Sequence, residues 1–162
     1  MPGPGEPFEP VIDAYWASIL KLAYRMTGDV NEAEEVAQET FFLAYRAWSK
    51  FERRSSVSTW LFRIAANRCR QHLLERHREN SIPLDQAPPL STRDRDPIES
   101  REAQERFERA MQAISPGHRM VLTLFCLEEL DHASIAEVLG CPIGTVWSRL
   151  FSARAAIAKH LK

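Results

Sequence analysis

Residues 131–161 read DHASIAEVLGCPIGTVWSRLFSARAAIAKHL, and this stretch decides the fold. Asp131 has the side chain of an N-cap, and Ile135, Ala136, Val138 and Leu139 recur behind it at helical spacing. Gly140 suits the left-handed residue that closes such a helix, and CPIG supplies a tight turn. A second helix follows, with Val146, Leu150, Ala153, Ile157 and Leu161 on its inner face. Two short helices joined by a glycine-led turn, the second bearing Arg149 and Arg154, have the pattern of a helix-turn-helix. A plain structural hairpin has the same pattern, so the function of the pair depends on the rest of the chain.

Outward from this hairpin, proline marks the boundaries. Four of the 10 prolines lie in the first ten residues and four more between Pro83 and Pro97, while Pro116 and Pro142 fall where helices can begin. Residues 81–99 (SIPLDQAPPLSTRDRDPIE) combine proline with small polar residues and read as a flexible linker. The expected architecture is all-α: a disordered tail over 1–9, a small helical domain over 10–80, the linker, and a second small helical domain over 100–162.

The chain has 162 residues, of which 44% are apolar and 27% charged, a balance that folds rather than one that stays disordered. Its longest apolar run, around Met120–Leu127, is far shorter than a membrane span, so no direct membrane contact is expected. The opening MPGPGEPFEP lacks the basic flank and apolar core of a secretory signal. Three cysteines without tight pairing suit reduced thiols in the cytoplasm. No glycine-rich phosphate loop, nucleophile elbow or HExxH motif occurs, so an enzyme is not expected. Cys69-x-x-His72 has metal-like residue types but no second cluster nearby, so neither a metal nor a cofactor is expected.

Charge is segregated along the chain. Gly28–Lys50 carries five acids against two bases, and Phe51–Asn80 carries seven arginines against three glutamates. Asp131–Lys162 is again basic, with four cations against two acids. Two basic patches separated by an acidic helix suggest two polyanion contacts and one different partner surface.

The acidic helix starts at the capping-box-like pair Asp29 and Glu32 and runs to about Trp48. Ala33, Val36, Ala37, Thr40, Phe41, Ala44, Tyr45 and Trp48 form its core stripe, while Glu35, Gln38, Glu39, Phe42 and Arg46 share another face. An apolar Phe42 among those charges suits a protein partner with a basic surface, and an ordinary amphipathic helix has the same pattern. A preceding helix spans Val11–Met26. FERRSSVS (51–58) is expected to be a loop, followed by a helix from Ser58 or Thr59 to about Arg78. Trp60, Leu61, Ile64, Ala65 and Leu73 form that helix's core stripe, and Arg63, Asn67, Arg70 and Gln71 lie together on a different face. Such residues hydrogen-bond phosphates and base edges, and the small polar residues before them leave room for an unstacked base. In the second block, Arg101–Ile114 is expected to be helical. Ser115-Pro116 then starts a helix running through Leu130 at the buried centre of that domain.

The residues also match a family pattern. AEEVAQETFFLAYRAWSKFE (33–52) is similar to region 2.2 of the sigma-70 family, STWLFRIAANRCRQHL (58–73) to regions 2.3–2.4, and SIAEVLGCPIGTVWSRLFSARAAI (134–157) to region 4.2. The chain therefore resembles an extracytoplasmic-function (ECF) sigma factor that keeps only regions 2 and 4. The resemblance implies a cytoplasmic factor, monomeric when free, that confers promoter specificity on core RNA polymerase and melts the −10 element. An anti-sigma factor commonly restrains such proteins. By the same resemblance, Glu35, Gln38, Glu39 and Phe42 bind core polymerase at the β′ coiled coil, and region 4 approaches the β flap. Arg53, Arg54, Ser55, Ser56, Arg63, Asn67 and Arg70 take the −10 strand, with Arg68 and Arg76 on phosphate. Thr145, Trp147, Ser148, Arg149, Phe151 and Arg154 take the −35 duplex. Trp147 and Ser152 stand where relatives often carry basic residues, which removes two potential guanine readers. A rival is a sigma-like decoy that sequesters an anti-sigma factor without reading DNA, although it would need no basic patch over 51–80. Another is an independent helix-turn-helix repressor.

Overall fold

The computed structural model describes residues 5–79 and 98–161. Among these residues there are seven α-helices and no strand: α1 (Glu9–Thr27), α2 (Val30–Ala47), α3 (Val57–Glu79), α4 (Ile98–Ala113), α5 (Pro116–Leu122), α6 (His132–Leu139) and α7 (Ile143–Leu161). The expected linker lies outside the described residues except for its last two positions, which begin α4.

Local chemistry sets the helix ends. Gly28 closes α1 at φ 74°, the left-handed region where a side chain is strained, and donates its N–H to the Tyr24 carbonyl. The Asp29 carboxylate then accepts the Glu32 N–H at 2.9 Å and starts α2. The reciprocal half of a capping box does not form, because Glu32 instead pairs with Arg76 of α3 at 2.8 Å. Ser56 caps α3 by accepting the Thr59 N–H, and Ser115 and Asp131 do the same for α5 and α6.

α1, α2 and α3 pack around Ile19, Leu22, Met26, Val36 and Leu61, all fully buried. Each such aliphatic side chain contributes ~1.5–3 kcal/mol through burial. Met111, Val121, Leu124, Ile135, Val138 and Val146 fill the second bundle. The two bundles join in one apolar cluster, with α3 against α6 and α1 against α4 and α5.

Polar groups fix this docking. Arg119 of α5, only 7% exposed, donates to the Arg25 and Met26 carbonyls at the end of α1 and to the Ile114 carbonyl. Gln112 of α4 also donates to the Arg25 carbonyl, and Arg76 of α3 donates to that of Thr27. Arg25 and Glu108 form a mostly buried ion pair at 3.2 Å. Burial, and secondarily the nearby Arg76, lowers the pKa of Arg119.

Four expectations need correction. Residues 6–9 are not disordered: Phe8 is buried against Trp48 and Tyr45, the Glu6 carbonyl accepts the Trp48 Nε1–H, and α1 begins at Glu9. Tyr45 is not a core residue but 63% exposed, since its ring lies over Phe8 at the surface. The helix through Leu130 stops early, passing at Thr123 into a π turn (Thr123–Leu127), with Glu129 at φ 54°. Arg68 and Arg76, expected on phosphate, are paired within the protein, Arg68 with Glu39 and Glu75 and Arg76 with Glu32.

Candidate nucleic-acid interface

Three surfaces carry the candidate residues. The first is the outer face of α2, where Glu35 and Gln38 are exposed and Phe42 is 60% exposed beneath the Arg46 guanidinium. Glu39 is drawn to the edge of this face by its ion pair with Arg68. Leu43 and Tyr45 are also exposed and extend the apolar part of the face, Leu43 being an addition to the expected set.

The second surface is the loop before α3 and the exposed stripe of that helix. Arg53 stands at φ 54°, a left-handed conformation unusual for a side-chain-bearing residue. Arg54 pairs with Glu52 at 2.9 Å in an open setting, where ion pairs contribute little. The Ser56 hydroxyl is held by Thr59, with which it both accepts and donates, so its first duty is to start α3. Arg63, Asn67 and Arg70 follow on one exposed stripe, set by Trp60 packing against Phe51 (4.7 Å between ring centroids) and Trp48 behind them.

That stripe faces the other bundle. Arg54, Ser55, Thr59, Trp60 and Arg63 form one wall of a cleft, opposite Glu137 of α6 and the turn Gly140–Pro142. A neighbouring cleft brings Arg70 and Leu73 opposite His118 and Arg149. The sequence gives no sign of this proximity, since it depends on how the bundles dock. Trp60 packs against the core as expected and also lines the cleft.

The third surface is α7, the second helix of the hairpin. Trp147 is 60% and Phe151 79% exposed. Ser148 and Arg149 are exposed, Thr145 is half-buried, and the Ser148 hydroxyl donates to the Thr145 carbonyl. Arg154 lies over the Phe125 ring, 5.2 Å from its centroid. Burial pushes the Cys69 thiol up to about 12, with Arg68 and Arg70 only partly offsetting it, so this thiol is unreactive. No metal-ligand cluster is found among the described residues.

With these surfaces in place, the comparisons with known proteins are specific. The sigma-70 region 2 family model matches residues 11–79 and the sigma-70 region 4 model matches 104–157. The RNA polymerase sigma-H factor of Pseudomonas aeruginosa is 36% identical over 96% of this chain and 86% of its own length. The ECF RNA polymerase sigma factor SigW of Bacillus subtilis is 30% identical over 99% of this chain and 91% of its own. The chain belongs to the ECF group of sigma-70 factors. Its function is promoter-specific initiation of transcription, through regions that bind core RNA polymerase and promoter DNA. The same fold occurs in the sigma factor RpoE of Bartonella quintana, solved in complex with the anti-sigma factor NepR, with a TM-score of 0.80 at 22% identity over 95% of this chain and 96% of that one. Among the described residues, no helix is long and apolar enough to cross a membrane.

Proposed function

We propose that this ECF factor uses its three surfaces in a fixed division of labour. Glu35, Gln38 and Phe42 on α2, with Glu39 at their edge, dock on the β′ coiled coil of core polymerase, and region 4 approaches the β flap. Arg53–Ser56 and the Arg63–Asn67–Arg70 stripe hold the unpaired −10 strand, stacking one base against the loop and gripping the backbone. α7 enters the major groove of the −35 duplex. The factor works as a cytoplasmic monomer, contributes no catalytic residue of its own, and is restrained by an anti-sigma factor, the kind of partner found in complex with Bartonella quintana RpoE.

The observation that carries this reading is the exposed Arg63–Asn67–Arg70 stripe directly after a serine-capped loop, on a helix whose Arg68 and Arg76 are paired with acids of α2. Run-off transcription with core polymerase and pooled genomic fragments tests it. The wild type should yield new transcripts sharing two spaced upstream motifs. Arg63→Glu should keep core binding and lose those transcripts, whereas Glu35→Lys should lose core binding itself. Core binding by the wild type without transcripts, together with tight anti-sigma binding, would favour the decoy.

A further inference from the structure

From Gly144 to Ala155 the outward face of α7 carries no charge, and its first cation is Lys159 in the last turn. Gly144, Trp147, Ser148, Phe151, Ser152 and Ala155 all lie on it at successive helical positions, and all are exposed. The helix's two mid-length arginines are turned to its flanks. Arg149 lines the cleft opposite Arg70, and Arg154 lies over Phe125. Trp147 is braced from behind, its ring edge-on to His132 at 6.0 Å, and His132 in turn stacks on Phe125 at 5.2 Å. An indole held in this way loses little rotamer freedom when a partner closes over it.

Base-edge chemistry limits what such a face can read. Guanine is recognised through paired acceptors that call for a guanidinium or ammonium group, and none projects from the centre of this face. Thymine offers the C5-methyl group, the apolar feature of the major groove, and aromatic carbon can cover it. Serine hydroxyls beside it accept or donate to whichever neighbour is present. We infer that Trp147 and Phe151 set the −35 preference of this factor by packing against thymine methyl groups, with Arg149 and Arg154 contributing to position rather than to sequence. The inference rests on the proposed role of α7 as the −35 reader and specifies the chemistry of that reading.

The test uses holoenzyme assembled from the full chain and core polymerase. A −35 element is selected from randomised duplex placed upstream of a fixed −10 element. The selected duplex is then remade with deoxyuridine in place of individual thymines, which removes one methyl and leaves every hydrogen-bonding group intact. One or two of these replacements should weaken binding about fourfold each, the effect of one buried methyl. Trp147→Ser and Phe151→Ser, both at exposed positions, should each lose the discrimination at its own thymine, and the double variant should bind the thymine and uracil duplexes equally, while Arg149→Ala should weaken both alike. A selected element indifferent to uracil at every position, or variants that keep the discrimination, would overturn the inference while leaving duplex reading in place. If no −35 preference emerges, the role of α7 as duplex reader fails, and the inference with it. In that case the exposed aromatic pair belongs to a protein partner.

Discussion

The two helices proposed to face DNA are built in opposite ways. α3 presents Arg63, Asn67 and Arg70, polar groups that project from a helix held on both sides and turned into a cleft. α7 presents Trp147 and Phe151, apolar groups facing solvent on a helix held on one side only. The contrast suits the state of the DNA that the proposal assigns to each. A separated strand offers flexible phosphates and unstacked bases, which cations and a recessed pocket can hold. A closed duplex offers a rigid groove, where the discriminating features are shallow and include methyl groups. The arginines most firmly fixed in the protein, Arg68, Arg76 and Arg119, touch neither surface, so the number of basic residues alone overstates the DNA contact.

The largest expected effect comes from breaking the docking that turns α3 into the cleft. Arg119→Ala leaves the carbonyls of Arg25, Met26 and Ile114 without this donor in a buried place, and should lower unfolding free energy by about 3 kcal/mol in urea titration. Cys141, which lines the cleft, should then react faster with a thiol reagent, while the buried Cys69 stays protected in the folded fraction. An intermediate effect sharpens the contrast between the helices. Arg70→Gln should flatten the salt dependence of single-strand −10 binding by about 0.7 in log–log slope. Phe151→Ser should weaken −35 duplex binding and leave its salt slope unchanged. Equal slope changes in the two variants would remove the distinction.

The smallest effect concerns the cap that positions α6 before α7. Hydrogen bonds from the Ser134 backbone N–H and hydroxyl hold the Asp131 carboxyl below the usual range. A carboxyl with a depressed folded pKa stabilises the fold fully above its ordinary value of ~3.9, and that contribution fades as pH falls through the lower folded value. Amide protection in α6 should therefore decline below about pH 4. Asp131→Asn, which accepts without titrating, should show no such step.

Much of this was legible in the sequence because the responsible chemistry is local. Asp29, Ser115 and Asp131 cap the helices as their types imply, and Gly140 takes the left-handed conformation at φ 65°. Periodicity placed Val36, Leu61, Val146 and Leu150 in the core. It misled at Tyr45 because a helix face turns from core to surface within one residue, and Phe8, the residue that decides which way this ring lies, is 37 positions away. It missed the end of α5 because an apolar run gives no signal that its hydrogen bonds will widen into a π turn. The exposed faces of α2, α3 and α7 were legible as helical stripes, but the sequence held no sign of which arginines were already committed. Ion pairs between α2 and α3 are settled by packing across 29 and 44 residues.

The end of α1 also sets an order in time. Its last carbonyls are collected by Arg76, Gln112 and Arg119, three side chains that leave the ribosome one after another. A nascent chain that has emerged as far as Glu79 already has α1, α2, α3 and the Arg76 contact, but neither of the later two donors. Until the second bundle is synthesised, water must satisfy the Arg25 and Met26 carbonyls, and the arginine stripe of α3 has nothing across from it. The newborn half-protein therefore shows this arginine stripe openly, and the finished protein is the first form in which the stripe is turned toward a neighbour.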